Sequence, residues 1–465
     1  MPEHALKLDE IPYYGDACEL FASLRELPGA AFLDSSHGAP QGGRFDILVA
    51  DPAADGPACM PANIASEAAI KSCFDDLIRF HRERYRGIGA PDGDLPFCGG
   101  LLGYISYDAG NLLHGIAPTR NGEAPAAPLV ALRAYDWCVI QDHLLQRSTL
   151  VSLPWVPATT RQDLLARIRS GARRSAGAFT LEAPFATVMT REDYNKAFQC
   201  IQDYITAGDC YQVNLAQCFA APFTGDPFSA YRQLRQIAGA PFSGYLEFDG
   251  GALLSLSPER FLSLRGRHVE TRPIKGTRPR GQTPAEDADL ARELRNSAKD
   301  RAENLMIVDL LRNDLGQNCV PGSVCVDALF EVESYPTVHH LVSAISGELS
   351  PQRSAMELLR DAFPGGSITG APKRRAMQII AELENTARQA YCGSLLYVSA
   401  DGRMDSNIAI RSLLCAEGEI RCWGGGGIVA DSVCDAEYQE TLDKIGRFLG
   451  CLERDFLPPD PARGQ

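Results

Sequence analysis

Thr271-Arg272-Pro273-Ile274-Lys275-Gly276-Thr277 reads as the exit of a β-hairpin. Alternating residues run into a Gly266-Arg267 turn, residues 268–271 lead back out, and Pro273, which has no N–H to give a ladder, ends the strand. Lys275 then stands just past a strand end, with Gly276 giving its backbone room to turn. An amine attacks only when neutral, and a free lysine with a pKa of about 10.4 is almost wholly protonated at neutral pH. Burial, Arg272, Arg278 or a bound metal would have to lower it. On pattern alone the same lysine also fits an exposed turn.

Composition sets the frame around this stretch. With 465 residues and 45 % hydrophobic content, the chain exceeds one ordinary small domain and can bury a large core. No apolar run reaches the roughly 18 residues of a membrane span, and Met1-Pro2-Glu3-His4 lacks the features of a signal peptide, so a soluble, cytoplasmic protein is expected. The 15 cysteines are odd in number and without C-x-x-C spacing, which predicts free thiols. A formal charge of -14 argues against nucleic acid and anionic membrane as partners. An anionic substrate would need a locally positive pocket or a metal.

Residues 1–150 read as a mostly β region. Segments 31–35, 44–50 and 129–141 are strand-like, 66–85 is a helix with Ser66 as N-cap, and Gly99, Gly100 and Gly103 punctuate another strand. Residues 151–189 read as a connector, interrupted by Pro154 and Pro157, with an exposed basic helix over 161–176. The third region, 190–455, carries the chemistry. Thr190 caps a helix that Gly208 ends, and 210–219 alternates as a strand with Val213 and Leu215 on one face and Gln212 and Asn214 on the other. Those amides face either a cavity or solvent.

Residues 252–257 form an apolar strand ended by Pro258, which places Glu259 at its tip with Arg260 as a pairing partner. A carboxyl there, its pKa raised by burial, is a natural general acid; a lone glutamate is also an ordinary turn residue. A helix over 297–315 is capped by Ser297 and carries Asp300 and Glu303 one turn apart. A second, over 434–449, has Tyr438, Leu442, Ile445 and Leu449 in one stripe and Glu437, Glu440 and Lys444 on another face. Paired carboxylates with few histidines suit a hard cation such as Mg²⁺, which leaves positions open for substrate oxygens. Two amphipathic helices with wetted faces would look the same.

Two anion-binding patterns lie between these helices. Residues 363–373, Phe-Pro-Gly-Gly-Ser-Ile-Thr-Gly-Ala-Pro-Lys, run into a helix and offer glycines, a hydroxyl and a helix N-terminus, although not in P-loop order. Gly424 to Gly427 follow a strand over 419–423 and suit close backbone approach, or a bulge. Arg411 falls on a strand over 407–413, after an Asp401-Gly402 turn, where an inward guanidinium would hold a carboxylate bidentately.

Over roughly residues 15–450 the chain resembles the chorismate-utilising enzymes, and within them the aminodeoxychorismate synthases. The matching motifs are Ser257-Pro258-Glu259-Arg260-Phe261, the run from Lys299 through Glu303 to Asp314, Val338-His339-His340-Leu341-Val342-Ser343, the cradle from Gly365 to Lys373, and Gly425-Gly426-Gly427-Ile428-Val429 leading to Glu437-Tyr438-Gln439-Glu440-Thr441. The resemblance implies an α+β fold of two large, mostly antiparallel β-sheets packed face to face with helices outside. It implies that Glu303 and Glu440 ligate Mg²⁺ with Glu437 in support, and leaves Asp300 open as a further supporting residue. Arg411, Tyr391, Thr369, Gly425, Gly426, Gly427 and Lys444 would surround the carboxylates of chorismate, and His340 would lie by the ring.

Two positions separate the members. Isochorismate and salicylate synthases carry a water-activating lysine where this chain has Gln212, and anthranilate synthases read Pro-Ile-Ala-Gly-Thr where it has Pro-Ile-Lys-Gly-Thr. The resemblance therefore implies that Lys275 adds to ring carbon 2 while Glu259 protonates the departing 4-hydroxyl, and that ammonia then replaces the lysine through attack at carbon 4. It also implies a separate glutamine amidotransferase subunit as the ammonia source, a separate downstream lyase, and a product destined for 4-aminobenzoate and folate. Relatives bind tryptophan in the N-terminal region; Phe32-Leu33-Asp34-Ser35 departs from the Leu-Leu-Glu-Ser of feedback-inhibited enzymes, while Ser35, Arg44, Phe45 and Asp46 remain as a structural pocket. An anthranilate synthase component and a non-catalytic sensing subunit stay open as alternatives.

Overall fold

Period-two alternation leaves each strand with an apolar face to bury, and two sheets meeting face to face bury both sets at once. The computed structural model describes residues 5–36, 43–63, 66–91, 94–117, 127–170, 177–334 and 338–459. Among the described residues it contains a 13-stranded and a nine-stranded sheet, with antiparallel neighbours. The larger runs in space through Lys7–Ile11, Arg147–Ser152, Trp137–Asp142, Phe45–Val49, Ala31–Asp34, Phe242–Phe248, Gly251–Ser257, Ser412–Ala416, Glu419–Ile428, Gln212–Gly225 and Gly370–Ala371. The smaller runs through Ile274–Pro279, Val338–Glu348, His268–Thr271, Arg260–Arg265, Met404–Asn407, Ser394–Ser399, Gly100–Ile105 and Val130–Tyr135.

The core follows from that stacking. Ile47, Val213 and Leu253 of the larger sheet share one buried cluster with Leu102, Leu132, Leu262 and Val398 of the smaller. On the outer face of the larger sheet, Phe21, Phe228, Tyr231, Phe448 and Leu452 from the helices Ala17–Leu24, Pro227–Ala238 and Cys434–Phe456 pack over Phe32, Leu254 and Leu413. Residues 1–150 are woven into both sheets: Ala31–Asp34 pairs with Phe242–Phe248, and Gly100–Ile105 pairs with Ser394–Ser399.

Several local expectations need correcting, each because a tertiary partner overrides the local pattern. The strand expected over 129–141 is two, Val130–Tyr135 in the smaller sheet and Trp137–Asp142 in the larger, so the chain changes sheets at Asp136. The basic helix is Ala158–Ser170, with residues 171–176 outside the described residues; it is docked rather than exposed, since Leu164 and Ile168 are buried and Arg161 pairs with Asp9. The last helix extends to Phe456, and its buried face runs through Thr441, Ile445, Phe448 and Leu452, with Tyr438, Leu442 and Leu449 only at its flanks. All 15 cysteines are free thiols.

The hairpin also differs from its reading in one respect. Arg260–Arg265 and His268–Thr271 pair around Gly266, but Pro273 does not end the sheet. After it the chain resumes as Ile274–Pro279, and both segments pair in turn with Val338–Glu348, through Thr271 to Ile345 and Ile274 to Val342. Lys275 thus sits inside a strand. The register slips between Lys275 and Thr277, where Gly276 takes φ +76°; an added Cβ would lie 2.8 Å from Leu294 and 2.9 Å from the carboxyl carbon of Asp300. This glycine bulge re-aims the lysine beside it.

Candidate active site

A cavity of about 780 Å³ opens where both sheets meet the helices Ala298–Gly316 and Cys434–Phe456. Its floor is the pairing of Gln212–Gly225 with Glu419–Ile428, in which the four glycines lie within the strand, opposite residues 214–217, rather than after it. They are needed on both faces. A Cβ on Gly425 would stand 2.9 Å from the Tyr391 hydroxyl, one on Gly427 2.1 Å from Gln212 Nε2, and one on Gly426 3.2 Å from Glu437 Oε2. Gly425→Ala is expected to destabilise the fold by about 1–3 kcal/mol through overpacking, read as a lower urea midpoint.

Lys275 and Glu259 share one wall. Ser367 joins them: its carbonyl accepts from Lys275 Nζ at 3.1 Å and its hydroxyl donates to Glu259 Oε1 at 2.8 Å. Burial pulls the lysine pKa down, against the opposing pull of Glu303 and Glu259. Burial likewise pushes the Glu259 carboxyl up, against Lys275 and the Ser367 hydrogen bond. Arg260 does not pair with Glu259; its guanidinium faces the other way, to Asp405 at 3.0 Å and Glu270 at 3.2 Å.

Opposite charges gather around the rest of the space. Arg411 leaves the expected strand: Met404–Asn407 belongs to the smaller sheet, Ser412–Ala416 to the larger, and Arg411 sits at the crossing with φ +52°. A left-handed, half-buried arginine is costly backbone and costly charge. Among the described residues its guanidinium makes no ion pair, and burial and Arg447 push its pKa down to about 10. An anionic ligand would complete it. His340 lies near, its Nδ1 2.9 Å from Thr277 Oγ1, and burial with Arg411 lowers its pKa to about 4, so the ring is neutral at pH 7. Tyr391 lines the cavity, stacked at 6.2 Å on Trp423.

The three glutamates converge from the two helices. Burial raises the Glu303 pKa, with Asp300 and Glu437 adding to the rise. Lys299 Nζ stands 3.9 Å from Glu303 and 3.7 Å from Glu437. Glu440 is held below the usual carboxylate range because Lys444, 2.7 Å away, outweighs its burial; Lys444 also donates to Gly425 O at 2.8 Å. Asp300 is engaged by Arg278 at 3.2 Å. Among the described residues no group of three or more His, Cys, Asp or Glu forms a ready metal cage. The donors nevertheless suit Mg²⁺, being all carboxylate oxygens, and Gly426 leaves the space in front of Glu437 and Glu440 empty.

Some expected residues stand back from the cavity. Thr369 is buried and its hydroxyl donates to Gly365 O and Gly366 O; Gln212 is buried with Oε1 unpartnered among the described residues. Lys373, at the helix N-terminus of the cradle, turns away to Asp314 at 2.7 Å. Ser367, Lys299, Trp423 and Arg447 line the site without having been singled out by the sequence. Ser367, as a hydroxyl of the cradle, and Lys299, as the first residue of a family motif, carried a signal there without a role.

A second cavity, of about 310 Å³, is lined by Ser35, Arg44 and Phe45 together with Asp34, Arg260 and Asp405. Arg44 pairs with Asp142 and Asp94. Asp46 lies beneath, accepting from the Ser35 hydroxyl at 2.7 Å and facing His143 Nε2 at 2.7 Å.

Residues 40–450 match the family model described as chorismate binding enzyme. The chain belongs to the chorismate-binding enzyme family. It is 46 % identical over 444 residues to aminodeoxychorismate synthase component 1 of Escherichia coli, covering 94 % of this chain and 97 % of that one. It is 45 % identical to the Salmonella typhimurium protein of the same name over 95 % of this chain and 97 % of that one. The structure of anthranilate synthase component I from Streptococcus pneumoniae superposes with a TM-score of 0.75 at 29 % identity, covering 88 % and 92 % of the two chains. This member of the chorismate-binding family is thus an enzyme of the aminodeoxychorismate and anthranilate synthase group, with the two-sheet fold of that group. No described helix is long and apolar enough to cross a membrane.

Proposed function

We propose that the protein is the chorismate-aminating component of an aminodeoxychorismate synthase, forming 4-amino-4-deoxychorismate from chorismate and ammonia. The observation that carries this reading is the Lys275–Ser367–Glu259 arrangement: a half-buried amine driven toward its neutral form beside a buried carboxyl driven toward its protonated form. Lys275 Nζ bonds to ring carbon 2, and the 4-hydroxyl leaves as water with the proton of Glu259. Ammonia then bonds to carbon 4 and the bond from carbon 2 to Nζ breaks, returning the lysine.

The other side chains bind and orient. Arg411, Tyr391 and Lys444, with the Gly425 and Gly427 backbone, receive the carboxylates of chorismate, and neutral His340 packs by the ring. Glu303, Glu437 and Glu440 would hold Mg²⁺, which when bound supplies positive charge for a substrate carboxylate. Ammonia would come from a glutamine amidotransferase subunit, and a separate lyase would release 4-aminobenzoate for folate synthesis. The 310 Å³ cavity around Ser35, Arg44 and Phe45 would serve as a tryptophan pocket.

The test is the product. The purified chain, given chorismate, Mg²⁺ and an ammonium salt at mildly alkaline pH, is expected to form an aminated chorismate that keeps its enolpyruvyl group and yields 4-aminobenzoate once a lyase is added. Chromatography with mass spectrometry reads it. Direct release of 2-aminobenzoate would overturn the reading.

A further inference from the structure

Behind the cavity wall lies a buried ion pair that none of these roles uses. Arg388 is 1 % exposed, and it faces Glu384 with Nε to Oε2 at 2.9 Å and Nη2 to Oε1 at 2.7 Å. Two further donors go to backbone: Nη1 to Ile368 O at 3.0 Å and Nη2 to Asn214 O at 2.8 Å. Glu384 Oε1 in turn accepts from Ala216 N at 2.9 Å. The guanidinium also lies 4.6 Å from the Tyr107 ring and 5.8 Å from that of Tyr391.

Such a pair is a poor device for stability alone. Removing two charges from water is costly, and well-packed apolar residues often replace a buried ion pair without loss. What an apolar pair would not reproduce is the direction of these hydrogen bonds. They extend, by side-chain contacts, the short pairing of Gln212 and Val213 with Gly370 and Ala371, joining the Gln212–Gly225 strand, the turn Gly366–Ile368 and the residues leading to Tyr391. Ile368 follows Ser367 directly, and Ser367 supplies both contacts that hold the amine and the acid. On the same turn, Thr369 O accepts from Asn214 N at 2.8 Å, so the strand and the turn are pinned to each other from two sides.

We propose that Arg388, held in place by Glu384, is a positioning residue that sets the separation of Lys275 and Glu259 through the Ser367-Ile368 turn. The proposal rests on the reading of Lys275 and Glu259 as amine and acid. Arg388 touches no substrate; it fixes the carbonyl of Ile368, the residue after Ser367. A wall that relaxes by about 1 Å moves the acid and the amine relative to one another while leaving Arg411 and Lys444 where they bind ligand, and displacement on that scale costs about 10²-fold in rate.

Steady-state kinetics of the ammonium-dependent reaction test this on the unaltered chain, Arg388→Lys and Glu384→Gln, alongside urea unfolding of each. Lysine keeps the charge but reaches only part of the fork of acceptors. Arg388→Lys is expected to lower kcat about 10²-fold with KM for chorismate within about threefold, the signature of an interaction realised in the transition state. Glu384→Gln, which keeps an acceptor for Ala216 N, is expected to fold normally and to show a smaller loss of the same kind, and it carries the test if Arg388→Lys does not fold. Unaltered kcat in a folded variant, or activity lost only in proportion to the unfolded fraction, overturns the proposal. So does a rise in KM at constant kcat. Failure of the functional reading shows separately, as 2-aminobenzoate from the unaltered chain, because the kcat comparison can be made on either product.

Discussion

Alanine at position 275 is expected to reduce amination of chorismate at carbon 4 by at least ~10³-fold, about 4 kcal/mol of barrier. The side chain is removed from a bulge whose geometry has no other evident use: Gly276 turns the strand at +76°, and the freed Nζ reaches Ser367 O inside the cavity. The groups proposed to bind chorismate are left in place, since Arg411, Tyr391 and Lys444 lie on other segments. KM for chorismate should therefore change little while kcat collapses, which single-turnover kinetics and mass spectrometry of the quenched enzyme can read. Turnover at the unaltered rate would end the covalent role of the lysine.

Glu259→Gln is expected to cost about 10²–10⁴-fold, the usual contribution of a positioned general acid. Glutamine keeps the size of the side chain and an oxygen for the Ser367 hydroxyl, so the loss isolates the proton. The pH profile gives the sign. Falling pH protonates the Lys275 amine and rising pH ionises the Glu259 carboxyl, so the unaltered enzyme should show a bell whose two limbs belong to the pair jointly. Glu259→Gln should flatten the alkaline limb and leave the acid one. A profile with its alkaline limb intact would assign the acid elsewhere.

The parts of this structure written into the sequence are those with local causes. Ser66, Thr190 and Ser297 cap their helices through a side-chain oxygen three residues from the amide it receives, and the Gly266 turn closes the hairpin it announces. The convergence of Glu303, Glu437 and Glu440 was visible in part, because helical spacing puts each carboxylate on a definite face. The partner of Arg260 was not, since Asp405 arrives from a strand far along the chain. Nor were the crossings at Asp136 and Arg411, where the residues on either side alternate in the same way although they belong to different sheets. Ser367 contacts both Lys275 and Glu259 only because the turn folds back onto them, and nothing in a Gly-Gly-Ser-Ile run specifies that.

The order of strands in the larger sheet bears on how this protein is made. Gln212–Gly225 pairs with Glu419–Ile428, and Gly251–Ser257 with Ser412–Ala416, so the floor of the cavity is joined from strands that leave the ribosome far apart in time. Until the later strands emerge, the earlier ones present open ladder edges to their surroundings, and sheets closed by distant segments assemble slowly. The nascent chain is therefore most prone to aggregate in the interval before Ser412–Ala416 and Glu419–Ile428 emerge, and a holding chaperone has most to do over that interval.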